Sequence, residues 1–516
     1  MPIPRAAVSR RLAAAVMATV VAGLAAGCSG PPASARLATS RSSGGVAGGA
    51  RQLPAAVTRA PSPAVSVLAG AVPGALSAEL AVTLLVTSPV VVVATDDTTL
   101  AAAKAARAAH APLLLAAQVT PQLTAVVRRL RPRAVLAVGL RPAAAAALEA
   151  GLRGVPVVSR AARLPATAAA VPLRHVAVLV SDGETGPEGT AVTVTAQAAG
   201  AVVVGVRGGD PRADPAAIRA LARLRPLGVV GVGAQFGPAS ALRSRIAVAE
   251  TGRQLPGGGQ VLFPGRRLVA LYGYPATPSL GVLGQQDLTA SLARAKRAAA
   301  AYQPLGRVPV VPALEIIATV AQGSPGMDGN YSYESPVSTL RPWVDRATAA
   351  GLYVVLDLQP GRASLLDQAK LYQSLLRQPD VGLALDPEWK LQPGQVPLRQ
   401  IGHVNIDEVN SVARWLAALT ARYHLPQKLL VLHQFRLTMI VGEPGLDTSS
   451  DDLAIVIHMD GQGTPADKQE TWNAVTGAAP RGVYFGWKDF LVKDHPMLTP
   501  QQTMANAPAA VMISYQ

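Results

Sequence analysis

The stretch VGLALDPEW at residues 381–389 decides how the C-terminal half of this chain folds. Five apolar residues predict a short buried strand, and Pro387 ends it. Two acids one residue apart, Asp386 and Glu388, follow the apolar run at once. An apolar strand that ends in charged side chains is typical of an α/β protein whose functional groups lie at the strand ends.

Seven further apolar runs of this kind surround the first, and helical patterns separate several of them. The eight predicted strands are residues 268–272, 313–318, 352–358, 381–386, 429–433, 453–458, 482–487 and 511–515. The predicted helices are residues 287–302, 337–350, 365–377, 406–423 and 466–475. Eight strands alternating with helices over about 250 residues predict a TIM (β/α)8-like barrel, which we place at residues 263–516.

Active sites of such barrels lie at the C-terminal ends of the strands, so polar residues there are candidate site residues. Most of them come in pairs spaced i, i+2, which puts both side chains on one face of a strand. The candidate catalytic residues are Glu315, Asp357, Asp386 and Glu388. The candidate substrate-binding residues are Trp389, His433, His458, Asp460, Trp487 and Asp489.

The pair Asp386 and Glu388 suits acid and base chemistry at a glycosidic bond, because one carboxyl must stay protonated while the other is ionised. An Asp-x-Glu at a strand end resembles the barrel-fold lysozymes and chitinases. That resemblance implies that Glu388 is the proton donor and that Asp386 orients or stabilises. Trp389 and Trp487 are suited to stacking on sugar rings.

Two alternatives remain open for these residues. Capping of a helix or pairing with an arginine is an equally good explanation of Asp357. His433, His458, Asp460 and Glu388 are ligand types that Zn or Mn accepts. The chain has no His-Glu-x-x-His helix, so we expect no metal and no other cofactor.

The N-terminal half predicts a second α/β region, at residues 79–262. Strands at residues 90–94, 113–116 and 134–138 alternate with helices at 100–110 and 122–130, which indicates a parallel sheet. The unit then recurs: RLRPRAVLAVG at 129–139 is echoed by RLRPLGVVGVG at 223–233, and VVVATD at 91–96 by VAVLVSD at 176–182. The sequence therefore predicts a repeated α/β domain with two related halves.

This region resembles the cell wall-binding repeat type 2 modules. The resemblance rests on a strand ending in a small residue, an Ala-rich helix, the run APLLL at 111–115 and a Leu-x-x-Leu helix leading to a Val-rich strand and Gly139. It covers residues 90–139 and, more loosely, 175–233. It implies non-catalytic attachment to wall polymer. The alternative is a generic α/β fold with an unrelated small ligand.

The N-terminus has the three parts of a secretory signal at residues 1–27: arginines, an apolar span and small residues. The run LAAGC at 24–28 resembles the lipobox of bacterial lipoproteins, which implies lipidation of Cys28; an ordinary secretory signal is the alternative. Cys28 is the only cysteine, so an intramolecular disulfide and a cysteine nucleophile are excluded. Residues 28–78, rich in Ser, Gly, Pro and Ala, predict a flexible tether.

The formal charge of +16 indicates anionic partners. For an exported chain these are lipid headgroups or wall polymers rather than nucleic acid, although arginine excess is also typical of a GC-rich genome. We therefore predict an exported protein, lipid-anchored at the outer face of the plasma membrane, that associates with cell wall polysaccharide or peptidoglycan. Its barrel would hydrolyse a cell-envelope glycan. The alternative is a non-catalytic wall-binding or scaffold lipoprotein.

Overall fold

A computed structural model describes residues 52–70, 72, 74–116 and 118–516, which belong to one compact unit beginning at Ala50. The predicted signal at 1–27, Cys28 and the first part of the predicted tether lie outside the described residues. Among the described helices, none combines the length and the apolar character that crossing a membrane requires.

The N-terminal region contains two four-stranded parallel sheets and a small antiparallel pair, β1–β3. Its strands are β1 (Val57–Thr58), β2 (Val65–Leu68), β3 (Leu85–Thr87), β4 (Val90–Ala94), β5 (Leu113–Leu115), β6 (Ala134–Val138), β7 (Val157–Val158), β8 (Val176–Ser181), β9 (Val202–Val206) and β10 (Gly228–Val232). Its helices are α1 (Ala75–Leu84), α2 (Thr99–Ala108), α3 (Pro121–Arg129), α4 (Pro142–Gly151), α5 (Pro187–Ala198), α6 (Pro215–Leu224) and α7 (Ala239–Ala249).

The two parallel sheets have corresponding strand orders. The first is β5-β4-β6-β7 and the second is β9-β8-β10-β2. The echoed sequence motifs also share a backbone conformation: Arg131 and Arg225 both have positive φ, at 51° and 43°, just after a helix. The sheets pack on one apolar core, to which β4 contributes Val91 and β8 contributes Val178.

Strand β2 lies within the segment that the sequence predicts as a flexible tether, and here the structure differs from the prediction. β2 pairs with β10 in parallel register, and Val65 packs with the apolar cluster beneath the second sheet. Leu53 forms a bridge to Thr167, and α1 begins at Ala75. The folded region therefore begins well before residue 79. A run of four residues, within a Pro- and Ser-rich segment, is long enough to form this edge strand.

The C-terminal region is a closed barrel of eight parallel strands, which confirms the predicted TIM-like barrel. Its strands in order are β11 (Arg267–Gly273), β12 (Val310–Ala321), β14 (Tyr353–Leu358), β15 (Val381–Leu385), β17 (Lys428–Gln434), β19 (Leu453–Met459), β20 (Tyr484–Asp489) and β21 (Met512–Tyr515). β11 pairs with both β12 and β21 and so closes the barrel. Each predicted strand overlaps one of the eight.

Helices surround most of the barrel. They are α8 (Leu288–Tyr302), α9 (Val337–Ala349), α10 (Leu365–Leu371), α11 (Gln373–Leu376), α12 (Ile406–Arg422), α13 (Pro465–Ala478) and α14 (Pro500–Met504). Three short strands lie in the connections: β13 (Ser332–Glu334), β16 (Val404–Asn405) and β18 (Ile440–Val441). Between β17 and β19, where every residue is described, the chain contains β18 and two 3₁₀ turns in place of an α-helix.

Polar contacts join the two regions. The buried guanidinium of Arg212, in the α/β region, lies 2.9 Å from Asp451 of the barrel. Arg245 pairs with the same carboxylate at 2.6 Å. The backbone N–H of Leu262 donates to the side chain of Gln427 at 2.9 Å. These contacts lie at the N-terminal ends of the barrel strands, away from the candidate site.

Candidate active site at the mouth of the barrel

The barrel interior changes from apolar to polar toward the C-terminal ends of its strands. The lower layers are packed with residues such as Ala313, Val355 and Val431. Two positions further along every strand the inward-facing residue is polar, and we call these eight residues the polar ring. They are Tyr272, Glu315, Asp357, Asp386, His433, His458, Lys488 and Ser514. Seven members lie in barrel strands and Asp386 directly follows β15, in keeping with the alternation of a barrel strand.

His433 is the centre of the ring's charged contacts. Its Nε2 lies 3.0 Å from Glu315 Oε1, and its Nδ1 lies 3.2 Å from Asp460 Oδ2. Burial alone would lower the pKa of His433, but Glu315 and Asp460 outweigh it and raise the pKa well above its usual value. For both carboxylates, the attraction of His433 outweighs burial and lowers the pKa. The group is therefore an imidazolium between two carboxylates.

Asp357 belongs to this ring and does not cap a helix. The Tyr272 hydroxyl donates to Asp357 Oδ2 at 2.8 Å, and Gln359 donates to the Tyr272 oxygen at 3.2 Å. Asp357 also lies 3.9 Å from His433. Burial raises the pKa of Asp357 to about 6.

Lys488 brings a second cation to the ring. Its Nζ lies 3.6 Å from the centroid of the Tyr272 ring, and only 3% of the residue is exposed. A cation over an aromatic face is attracted by the ring quadrupole, more strongly when water is excluded. The positive charge of Lys488 also lowers the pKa of Asp357 and of Glu388, although burial outweighs it at both.

His458 stands beside the charged group in its neutral form. Its Nε2 is 2.8 Å from the Ser514 hydroxyl, and its ring centroid is 5.2 Å from that of His433. Burial lowers the pKa of His458 to about 4. We therefore assign the positive charge of the histidine pair to His433.

Glu388 differs from the other three predicted catalytic acids because it reaches solvent. Glu315, Asp357 and Asp386 are buried. Glu388 is partly exposed and, with Trp389, lines an open cavity of about 430 Å³. Burial first, and the charge of Asp460 second, raise the pKa of Glu388 to about 7. Burial and then the charge of Glu388 raise the pKa of Asp386 well above its usual value.

Trp487 and Asp489, which the sequence predicts at the mouth, lie elsewhere. Trp487 packs against Trp472 of α13, with ring centroids 5.4 Å apart, and donates to Asp489 at 2.7 Å. Asp489 is in turn 3.7 Å from Lys468 of the same helix. Both side chains therefore point outward from β20 into the helix layer, and the intervening Lys488 points inward.

Sequence analysis missed three ring members: Tyr272, Lys488 and Ser514. For Tyr272 and Ser514 a usable signal exists, because each continues an alternation of inward-facing apolar residues, Leu268 and Ala270 before Tyr272 and Met512 before Ser514. In β20 the sequence predicts the i, i+2 pair Trp487 and Asp489 at the mouth, whereas the residue between them, Lys488, is the one that points inward.

The ring keeps unused hydrogen-bonding capacity. In the ring and at the adjacent Asp460, the buried polar atoms without a hydrogen-bond partner are Glu315 Oε2, Asp357 Oδ1, Asp386 Oδ1, His433 Nδ1, His458 Nδ1 and Asp460 Oδ1. Native proteins pair nearly all such atoms, so this cluster of six marks a place that can accept polar groups of a ligand. Within the described residues, no three His, Cys, Asp or Glu side chains converge as metal ligands do.

Comparison of the chain with protein-family models, with curated proteins and with solved structures finds no match.

Proposed function

We propose that the barrel hydrolyses a glycosidic bond of a cell-envelope glycan and that Glu388 is the proton donor. One observation carries the proposal: Glu388 lines an open cavity beside Trp389, with its pKa raised to about 7. A general acid works best when its pKa lies near the working pH. An indole beside the acid offers a flat apolar face to a sugar ring.

The partner carboxylate in this proposal is Asp460. Hydrolysis of a glycosidic bond needs one protonated and one ionised carboxyl group near the bond that breaks. Glu388 and Asp460 have pKa values shifted in opposite directions, upward by burial and downward by His433. When the pKa values of two neighbouring carboxyl groups are shifted apart, the group with the raised pKa is the acid and the group with the lowered pKa is the ionised partner. Asp386 is buried with its pKa raised well above the usual value, and its unpartnered Oδ1 is available to a polar group of the substrate.

In the proposed reaction the Glu388 proton passes to the glycosidic oxygen as its bond to the anomeric carbon breaks. The ionised Asp460 stabilises the positive charge that develops on that carbon. A water molecule supplies the oxygen of the new hydroxyl group, and its proton restores the acid. His433 holds Asp460 ionised, so it acts as a positioning residue.

The proposed setting is the cell envelope, with Cys28 as lipid anchor and the α/β region in contact with wall polymer. Support for a repeated wall-binding domain comes from the corresponding strand orders of its two sheets and from the matching conformations of Arg131 and Arg225. The net positive charge favours anionic wall polymers over neutral ones.

A second candidate function is a barrel that binds a glycan without cleaving it. The observation in its favour is that Glu315, Asp357 and His433 are buried. Among the four predicted catalytic acids, Glu388 is the one that is partly exposed. A closed ring of this kind also suits a structural role.

Hydrolysis is tested by incubating the full chain with purified wall polysaccharide and with peptidoglycan and measuring the release of reducing ends. We expect Glu388→Gln to lower the rate by about 100-fold or more, the usual contribution of a general acid. Glu470→Gln, on the exposed face of α13, is the matched control and should retain the rate. Equal release by wild type and Glu388→Gln, or release by neither, contradicts the proposal; binding without release supports the second candidate.

A further inference from the structure

The cavity beside Glu388 is rich in hydrogen-bond donors. Two arginines from different connections line it: Arg399 follows β15, and Arg436 follows β17. Trp389 also lines this cavity, and its indole Nε1 is buried without a hydrogen-bond partner. Arginine forms two parallel hydrogen bonds with a carboxylate or a phosphate.

The charges at this cavity favour an anion. Glu388 is its acid, and with a pKa of about 7 it is mostly protonated below neutral pH and mostly ionised above it. The two guanidinium groups remain charged at any physiological pH. The cavity is therefore positive while the proposed acid is in its active form, and it loses part of that charge as Glu388 ionises.

We infer that this cavity binds an acidic group of the glycan, a carboxylate or a phosphate, through Arg399, Arg436 and the Trp389 N–H. The binding itself follows from the donors that line the cavity. That the acidic sugar lies next to the bond that breaks rests on the proposed function of Glu388. The substrate class is then an acidic envelope polymer and not a neutral glycan.

Binding is measured by calorimetry with three probes: oligogalacturonate for carboxylate, poly(glycerol phosphate) for phosphate, and chitohexaose as the neutral glycan. All proteins carry Glu388→Gln, which prevents turnover and removes no positive charge. We expect at least one acidic probe to bind more tightly than chitohexaose, with an affinity that falls as salt is added. Which acidic probe binds identifies the source of the anion.

Arg399→Gln combined with Arg436→Gln should weaken binding of that acidic probe by about 10-fold, as loss of charge-assisted hydrogen bonds implies. Its effect on chitohexaose should be small. Arg219→Gln combined with Arg297→Gln, at two exposed helix positions outside the cavity, changes the net charge equally and should leave binding intact. Equal losses in the two double variants, or no preference for either acidic probe, overturn the inference.

Failure of the inference and failure of the proposed function give different results. Cleavage of neutral glycan by the wild type, without any charge preference in binding, keeps the hydrolase proposal and removes the inference. Charge-selective binding that depends on Arg399 and Arg436, without release of reducing ends, keeps the inference and removes the hydrolase proposal.

Discussion

At the scale of single residues, the imidazolium of His433 gives two carboxyl groups of the site different protonation states. His433 keeps Asp460 ionised, and Asp460 in turn helps to keep Glu388 protonated. A change at one member therefore alters the protonation of the others. The coupling can be measured because the pKa values of Glu388 and Asp460 are shifted in opposite directions, so Asp460 is ionised at a pH where Glu388 still holds its proton.

The coupling between Asp460 and Glu388 should appear in the pH dependence of catalysis. Because Glu388 must be protonated, kcat/KM of the wild type should fall as pH rises above about 7. Asp460→Asn removes a negative charge that raises the pKa of Glu388, so the alkaline limb should move down by about one pH unit. The variant should also lose activity, because it lacks the ionised partner.

Asp386→Asn provides the control for the pH profile. Burial raises the pKa of Asp386 well above its usual value, so an amide in its place should change the charge near Glu388 less than Asp460→Asn does and leave the alkaline limb close to that of the wild type. The measurement is kcat/KM against pH for the three proteins. An unshifted limb in Asp460→Asn would count against the assigned pair.

The strand-end acids and histidines could be predicted from the sequence because a polar residue at the end of an apolar run is conspicuous. Lys488 could not be singled out in the same way, since Trp487 and Asp489 on either side are equally polar or aromatic. Which of the three points inward depends on the position of β20 in the barrel, and that is set by its partners β19 and β21. The register of β20 with its neighbouring strands, and not its local sequence, therefore determines which side chain points into the barrel.

At the scale of elements, α13 is held to β20 by a buried cation. Lys468 is 1% exposed and donates to the backbone carbonyl of Lys488 at 2.6 Å. It also pairs with the buried carboxylate of Asp494 and lies 3.7 Å from Asp489. The same ammonium lies 5.0 Å from the centroid of the Trp487 indole.

We expect Lys468→Met to lower the free energy of unfolding by about 3 to 5 kcal/mol, because it leaves the buried carboxylates of Asp489 and Asp494 without their cation. Lys370→Met, which breaks an exposed pair with Asp367, should cost less than about 1 kcal/mol. Denaturant unfolding measures both. Similar midpoints for the two variants would show that the buried pair contributes no more than the exposed one.

The barrel strands could be predicted because each is buried and therefore reads as an apolar run. β2 could not, for two reasons. It has only four residues in a Pro-, Ser- and Ala-rich background, and its partner β10 lies far along the chain. The composition of the segment, rich in Ser, Gly, Pro and Ala, predicts a flexible tether. It carries no information about a partner strand so far along the chain.

At the scale of the whole molecule, the second α/β sheet depends on chain that precedes the first sheet. β2 occupies the position in the second sheet that β7 occupies in the first. The N-terminal segment therefore completes a sheet whose other strands begin at Val176, and the α/β region cannot be divided into two consecutive halves.

Two truncations test this dependence. Deleting residues 1–51 leaves every described strand in place and should keep the thermal midpoint. Deleting residues 1–70 removes β1, which pairs with β3, and β2, whose loss uncovers the edge of β10 and removes the packing of Val65 and Val67. We expect this to cost about 3 kcal/mol or more, since burial of one valine is worth roughly 1.5 to 3 kcal/mol.

Scanning calorimetry and solubility of the two truncated proteins give the measurement. Val65→Asp in the full chain is a milder version of the longer truncation and should lower the midpoint in the same direction. Equal midpoints for the two truncations would mean that β2 is dispensable.

Closure of the barrel has a consequence for how the protein is made. β11 remains without its second neighbour until β21 is synthesised, about 240 residues later. At about 5 to 20 residues per second, that interval lasts roughly 10 to 50 seconds. During it the nascent chain presents an open strand edge, which invites pairing with other chains. During synthesis the chain therefore needs to stay unfolded, or bound to a chaperone, until β21, its last barrel strand, has been made.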